Sequence, residues 1–294
     1  EGTAVGVTLS GSDPDGDDLT FDVATQPGHG TLTGTGANLT YTPANGYTGT
    51  DSFTYTANDG AASSAPATVS ITVTAKPASC AAAPVQDALV STNQKKPSSV
   101  FTSGSVSTST AGQLVLAFVE ADGPKAPTQK VTSVTGGGLT WKLAVRSNST
   151  WGTTEVWQAW APQKVTGIKV KATLASAYNG SMTVVSWKGA ASTVGATAAA
   201  AGADGKPSVT LKTKSCHAQV WAAGHNWSRP VPAAPVAGQS LVHQFVDTGV
   251  HDTYWVQKFN TPVVKAGTSA TLKTQTLAKK DRWTFAAVEV RPAS

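Results

Sequence analysis

Thr153-Thr154-Glu155-Val156-Trp157-Gln158-Ala159-Trp160 changes character at every second residue. Val156 and Trp160 fall on one face of an extended chain, and Glu155 and Trp157 fall on the other. Its β-branched and aromatic residues suit a pleated, half-buried surface. The same period returns on both sides, in Leu114 to Val119, Leu139 to Val145, Ile168 to Leu174, Met182 to Trp187, Gln219 to Ala223, Leu241 to Val246, Thr253 to Phe259 and Trp283 to Val290. Ten or more strands over about 215 residues, with no convincing helix, predict a jelly-roll-like β-sandwich. Ser192 to Gly205 is rich in Ala, Gly and Thr and reads as a flexible loop.

Towards the N-terminus the strands are shorter. Val5, Val7 and Leu9 alternate, as do Leu19, Phe21 and Val23, then Leu39 and Tyr41, Phe53 and Tyr55, and Val69, Ile71 and Val73. Asp13-Pro14-Asp15-Gly16, Gln26-Pro27-Gly28, Ala44-Asn45-Gly46 and Asn58-Asp59-Gly60 separate them as turns. This spacing predicts a small separate sandwich over 1–76. A Pro/Ala linker then covers 77–84, and the tryptophan-rich sandwich covers 85–294. The fold class is all-β throughout.

Only 13% of the 294 residues are charged, and the net charge is +5. The charge is unevenly placed: residues 1–76 hold eight acids and the single base Lys76, while the rest holds nine acids and twenty-one bases. Those bases are scattered singly rather than clustered, which argues against nucleic-acid binding. No apolar run is long enough to span a bilayer. The start at Glu1, without Met or a signal peptide, reads as that of a processed or excised piece of a longer exported polypeptide. Cys80 and Cys216 are too far apart for a redox pair or a cysteine-based zinc cluster. One disulfide is the natural reading in an exported protein, and two buried thiols are the alternative.

Ser12-Asp13-Pro14-Asp15-Gly16-Asp17, Gly28-His29-Gly30-Thr31-Leu32, Tyr41-Thr42-Pro43 and Tyr47-Thr48-Gly49-Thr50-Asp51-Ser52-Phe53-Thr54-Tyr55 resemble the bacterial tandem Ig/cadherin-like repeat. The resemblance covers about residues 1–75 and implies a spacer in a large exported protein. The second segment contains Gly136-Gly137-Gly138-Leu139-Thr140-Trp141, Gly152-Thr153-Thr154-Glu155-Val156-Trp157, Gly238-Gln239-Ser240-Leu241-Val242-His243-Gln244, Asp252-Thr253-Tyr254-Trp255-Val256-Gln257 and Asp281-Arg282-Trp283. Over about residues 85–292 it resembles an accessory module appended to secreted bacterial carbohydrate-active enzymes and sugar dehydrogenases. It departs from that pattern at Gly224-His225-Asn226-Trp227-Ser228, where the resemblance implies an acidic Gly-Asn-Asp-Trp-Asp loop.

Candidate sites follow from residue chemistry. Asp13, Asp15 and Asp17 put carboxylates at alternate positions of one turn, which Asp51 and Asp59 could approach from neighbouring loops. Such a set would suit Ca²⁺; the alternative is a solvated turn capped by its own side chains. Trp151 and Trp227 sit in polar loops, where a ring can stack on the C–H face of a sugar or fold back as a lid. Asp252, Trp255 and Gln257 add a carboxylate, a ring and an amide for a sugar subsite. The strand tryptophans Trp141, Trp157, Trp160, Trp187, Trp221 and Trp283 read as core. A His/Asp metal site could draw on His225, His243 and His251, but no pair of them has helical HxxxH or finger spacing. Glu120 and Asp122 lie two apart near a strand end and read as a turn or ligand-binding pair rather than a glycosidase pair.

No GxSxG, HExxH, P-loop or dinucleotide fingerprint is present. The residues therefore predict a non-catalytic module of an exported protein that binds polysaccharide or cell-surface glycan, with the first module as spacer. A structural or adhesive protein without a small-ligand site is the alternative. The third reading is a polysaccharide lyase using His243, Tyr254, Gln257 and Arg282.

Overall fold

The computed structural model describes residues 2–75, 80–125, 128–203, 205–275 and 281–293, and every regular element within them is a strand. No helix is long and apolar enough to cross a membrane. The chain forms two compact units, 1–79 and 80–294.

In the first unit the strands are β1 (Val5–Thr8), β2 (Thr20–Thr25), β3 (Gly30–Thr35), β4 (Asn38–Pro43), β5 (Gly49–Asn58) and β6 (Ala67–Val73). They form two antiparallel three-stranded sheets, β1-β4-β3 and β2-β5-β6. The alternating residues meet between them: Leu9, Leu39 and Phe53 are buried, packed by Val7, Phe21, Leu32, Tyr55 and Ile71. This is an Ig-like sandwich built on the expected faces.

The second unit runs β7 (Val85–Thr102), β8 (Gln113–Lys125), β9 (Val131–Thr135), β10 (Trp141–Ser147), β11 (Trp151–Ala161), β12 (Lys171–Lys188), β13 (Thr197–Gly202), β14 (Ser208–Lys212), β15 (Gln219–Asn226), β16 (Gln239–Asp247), β17 (Asp252–Phe259), β18 (Ser269–Lys273) and β19 (Trp283–Val290). One sheet has the order β10-β11-β8-β12-β7, with β9 paired to the far end of β12. The other has the order β13-β19-β15-β17-β16. β13 lies within the stretch expected to be a flexible loop. Its small side chains pair in register with β19, from Thr197 opposite Val288 to Gly202 opposite Trp283.

The two sheets meet through Leu114, Leu116 and Phe118 of β8, Val156 of β11 and Val185 and Trp187 of β12. Trp221 and Ala223 of β15, Val256 of β17 and Ala286 and Val288 of β19 face them. Neither outer face is bare. Val115, Ala117 and Val119 of β8 are covered by Val131 and Val134 of β9. Val220 and Ala222 of β15, Trp255 of β17 and Phe285 and Ala287 of β19 are covered by the β14–β18 ribbon, through Val209, Leu211, Ala270 and Leu272. Both faces of the central strands are therefore apolar.

Of the stretch expected to be a linker, Pro77, Ala78 and Ser79 lie outside the described residues, whereas Cys80–Pro84 run along the second unit. Cys80 is bonded to Cys216, His217 Nδ1 is 3.0 Å from the Ala81 carbonyl, and Gln219 Nε2 donates to the Pro84 carbonyl at 3.4 Å.

Candidate functional site

One face of five strands changes from apolar to polar at the same end of the second sandwich. Along β8, the column Leu114, Leu116, Phe118 continues as Glu120 and Asp122. On β11, Val156 is followed in the column by Thr154, and on β19 Ala286 by Thr284. On β15, Trp221 and Ala223 lead to His225; on β17, Val256 leads to Tyr254 and Asp252. Antiparallel register brings these ends together, with Thr154 opposite Glu120, His225 opposite Thr284 and Tyr254, and Ala223 opposite Val256.

Above them opens a cleft of about 380 Å³ lined by Asp122, Gly123, Pro124, Trp151, Tyr178, Trp227, Val250, Asp252 and Arg282. Trp151, Trp227 and Asp252, which the sequence singles out separately, thus share one site. The Arg282 guanidinium lies 4.8 Å from the centre of the Trp151 ring, a cation–π contact that steadies both side chains. The loop after β15 is tied to the start of β19: Trp227 N donates to the Arg282 carbonyl at 3.4 Å, and Arg282 N donates to Ser228 Oγ at 2.9 Å. In the same loop the Asn226 side-chain oxygen Oδ1 accepts the Ser228 amide at 3.1 Å.

Below the cleft His225 is fully buried. Its ring stacks on Tyr254, with centroids 4.5 Å apart and 9° between planes, and Trp227 tilts against it at 5.2 Å. Gly152 makes room for that ring. At φ +66° it adopts a conformation that glycine accepts readily, and an added Cβ would meet the Ala121 carbonyl at 2.5 Å and the His225 ring at 3.1 Å. Tyr254 donates its hydroxyl to Asp252 Oδ2 at 2.8 Å. Burial, reinforced by Asp252 and Asp122, pushes the Tyr254 phenol well above its ordinary range. Burial also raises the Asp122 carboxyl; Asp252 adds to that and His225 opposes it.

Glu120 lies deepest. It is fully buried, and neither carboxylate oxygen has a hydrogen-bond partner among the described residues. Burial raises it well above the usual carboxylate range, so its neutral form is favoured. Buried and absent from the lining, it does not flank the cleft as half of a glycosidase pair. A pH dependence follows. The unfolded Glu ionises near its ordinary pKa while the folded one stays protonated, so its contribution to stability is intact below that pKa and is lost as pH rises towards the folded value. Glu120→Gln should melt like wild type near pH 4 and increasingly above it as pH rises from 5 to 8. A constant difference in melting temperature across that range would contradict a neutral Glu120.

Trp255 and Gln257 do not reach the cleft, although their residue types suggested a subsite. They point to the opposite face of β17, into the core beneath the β14–β18 ribbon, and both are fully buried. Trp255 Nε1 donates to Gln257 Oε1 at 3.0 Å, and Gln257 Nε2 donates to Gln239 Oε1 at 2.8 Å. The Trp255 ring lies over Gly224, where a Cβ would come within 2.2 Å of it. Among the residues of the lyase reading, only Arg282 lines the cleft. His243 Nε2 lies 2.8 Å from Asn93 Oδ1, outside it.

In the first unit the five expected calcium ligands are not assembled: no three of them bring ligand oxygens within 4.8 Å of one another. Asp13 Oδ1 accepts the amides of Asp15 and Asp17, and Asp59 Oδ1 accepts those of Ala61 and Ala62, as in self-capped turns. Asp51 is a buried latch. It accepts the Gly28, His29 and Ser52 amides at 2.9 Å and the Tyr41 hydroxyl at 2.7 Å. Burial pushes its carboxyl up, but these four donors outweigh burial and hold it below the ordinary value. Burial, with the Asp51 bond, lifts Tyr41 to about 12.

Residues 1–72 match the family model of a bacterial Ig domain. No curated protein and no solved structure matches the chain.

Proposed function

We propose that the second unit is a non-catalytic module that binds polysaccharide or cell-surface glycan, joined to its Ig-like spacer in an exported bacterial protein, and that the Trp151–Trp227 cleft receives the sugar. The observation that carries this reading is the shared lining: three aromatic rings, two carboxylates and a guanidinium surround one open cleft. Flat apolar faces stack against the axial C–H groups of a pyranose, and carboxylates and guanidinium exchange hydrogen bonds with its hydroxyls. Two other clefts among the described residues offer less. One, lined by Leu139, Trp160 and Thr193, has Lys142 as its only charged side chain. The cleft in the first unit holds Asp13 and Asp59, both engaged in their own turns.

Retention of the full chain on a panel of insoluble polysaccharides tests the reading. Trp151→Ala and Trp227→Ala should each weaken retention on the polymer that binds wild type by roughly tenfold, the loss of one stacked ring. Their melting temperatures should stay within about 5 °C of wild type, because neither ring belongs to the apolar cores. Normal retention by both variants would overturn the assignment. So would weakened retention that merely tracks a large fall in melting temperature, because the rings would then be lids.

A further inference from the structure

Asp122, His225 and Asp252 each bring a ligand atom within 4.8 Å of the other two, and no other group of three or more His, Cys, Asp or Glu among the described residues does so. We propose that these three side chains form a binding site for a first-row divalent transition ion, best matched by Zn²⁺, at the floor of the cleft.

The imidazole supplies the independent observation. His225 is fully buried, yet neither ring nitrogen has a hydrogen-bond partner among the described residues. Buried imidazoles in folded proteins normally donate at one nitrogen and accept at the other. Asp252 Oδ2 lies 3.4 Å from Nε2, at ion-pair distance but not aligned as a hydrogen bond. Two ligands each about 2.0–2.1 Å from a tetrahedral Zn²⁺ stand about 3.3–3.4 Å apart, so this spacing is that of one edge of a zinc site.

The remaining groups agree in chemistry. Asp252 is 1% exposed, so two carboxylates face each other across a poorly solvated floor, and a divalent cation would neutralise both. The nitrogen donor separates this set from sites for Ca²⁺ or Mg²⁺, which take oxygen ligands, and favours zinc-like ions. Tyr254 already donates to Asp252 Oδ2 and stacks on His225, fixing two of the three ligands from outside, as supporting groups in metal centres do. Gly152 leaves the ring its place. Three protein ligands leave a fourth position for water or for an oxygen of a molecule in the cleft.

The site shares Asp122 and Asp252 with the lining of the glycan cleft, but neither Trp151 nor Trp227 is a ligand. The test uses tag-free full-length protein stripped with a chelator, titrated calorimetrically with Zn²⁺ alone and then analysed for bound metal after desalting. One equivalent should bind, and His225→Gln and Asp122→Asn should each weaken binding by at least about tenfold. His243→Gln, outside the cleft, should leave it unchanged. Asp122 is only partly buried, so its variant decides the matter if His225→Gln does not fold. Absence of Zn²⁺ uptake by wild type, or uptake unchanged in Asp122→Asn, would overturn the proposal. Either result would leave glycan retention, and its dependence on Trp227, untouched.

Discussion

Reducing the Cys80–Cys216 bond should cost the second unit about 5 kcal/mol on the chain-entropy model, because the bond closes a loop of 136 residues. It joins the first residue of that unit to the entrance of β15, so the closed loop contains β7 to β14. Domains of this kind have a total stability of about 5–15 kcal/mol, so reduction should leave the unit marginal. Urea unfolding with and without reductant measures the change as a shift in midpoint. The first unit has no cysteine, and its own transition is an internal control. Unfolded but unreduced protein should show no titratable thiol. Two thiols in that assay, or an unchanged second-unit midpoint after reduction, would contradict the bond or its role.

Glu155→Leu should destabilise the same unit by about 3–5 kcal/mol, the sum for two or more buried neutral donors that each lose an acceptor at about 1–3 kcal/mol. Glu155 is fully buried on the β11 face that looks towards β9. One oxygen accepts the Val131 amide at 2.7 Å and the Thr153 hydroxyl at 2.9 Å; the other accepts Trp157 Nε1 at 2.9 Å and Arg146 Nη2 at 3.0 Å. Arg146 Nε is 2.8 Å away, close enough for the ion pair but off-line for a hydrogen bond. Leucine would leave the Val131 amide and the indole N–H without an acceptor in a closed environment. Arg146 is about a quarter exposed and can turn to water, so the loss comes mainly from the neutral donors. Arg146→Met combined with Glu155→Leu should therefore be little better than Glu155→Leu alone. A double variant restored to wild-type melting would instead place the cost on the stranded guanidinium.

Both effects rest on features read differently from the sequence. The cysteine pairing was legible, because two cysteines so far apart in the sequence fit neither a redox pair nor a zinc cluster. Glu155 was legible only as the neighbour of Trp157 on one strand face; that the face is closed by β9 and carries a buried ion pair was not.

Strand alternation by itself determined the all-β class, the separate small first sandwich and the core role of Trp187 and Trp221, because a period of two is a local property of an extended chain. Residue chemistry, rather than alternation, marked Trp151, Trp227 and Asp252 as distinctive. It misplaced Trp255 and Gln257, because the face they occupy is solvent-exposed in a two-layer sandwich but is covered here by the β14–β18 ribbon. It set Asp51 among calcium ligands because spacing does not show that four donors already hold that carboxylate. It also read His225 only with the other histidines. The polar ends of Leu116-Ala117-Phe118-Val119-Glu120-Ala121-Asp122 and Val220-Trp221-Ala222-Ala223-Gly224-His225 are visible in the letters. Which strand ends meet is set by strand order and antiparallel register, which join residues more than a hundred positions apart. Only tertiary structure could bring Asp122, His225 and Asp252 to one floor.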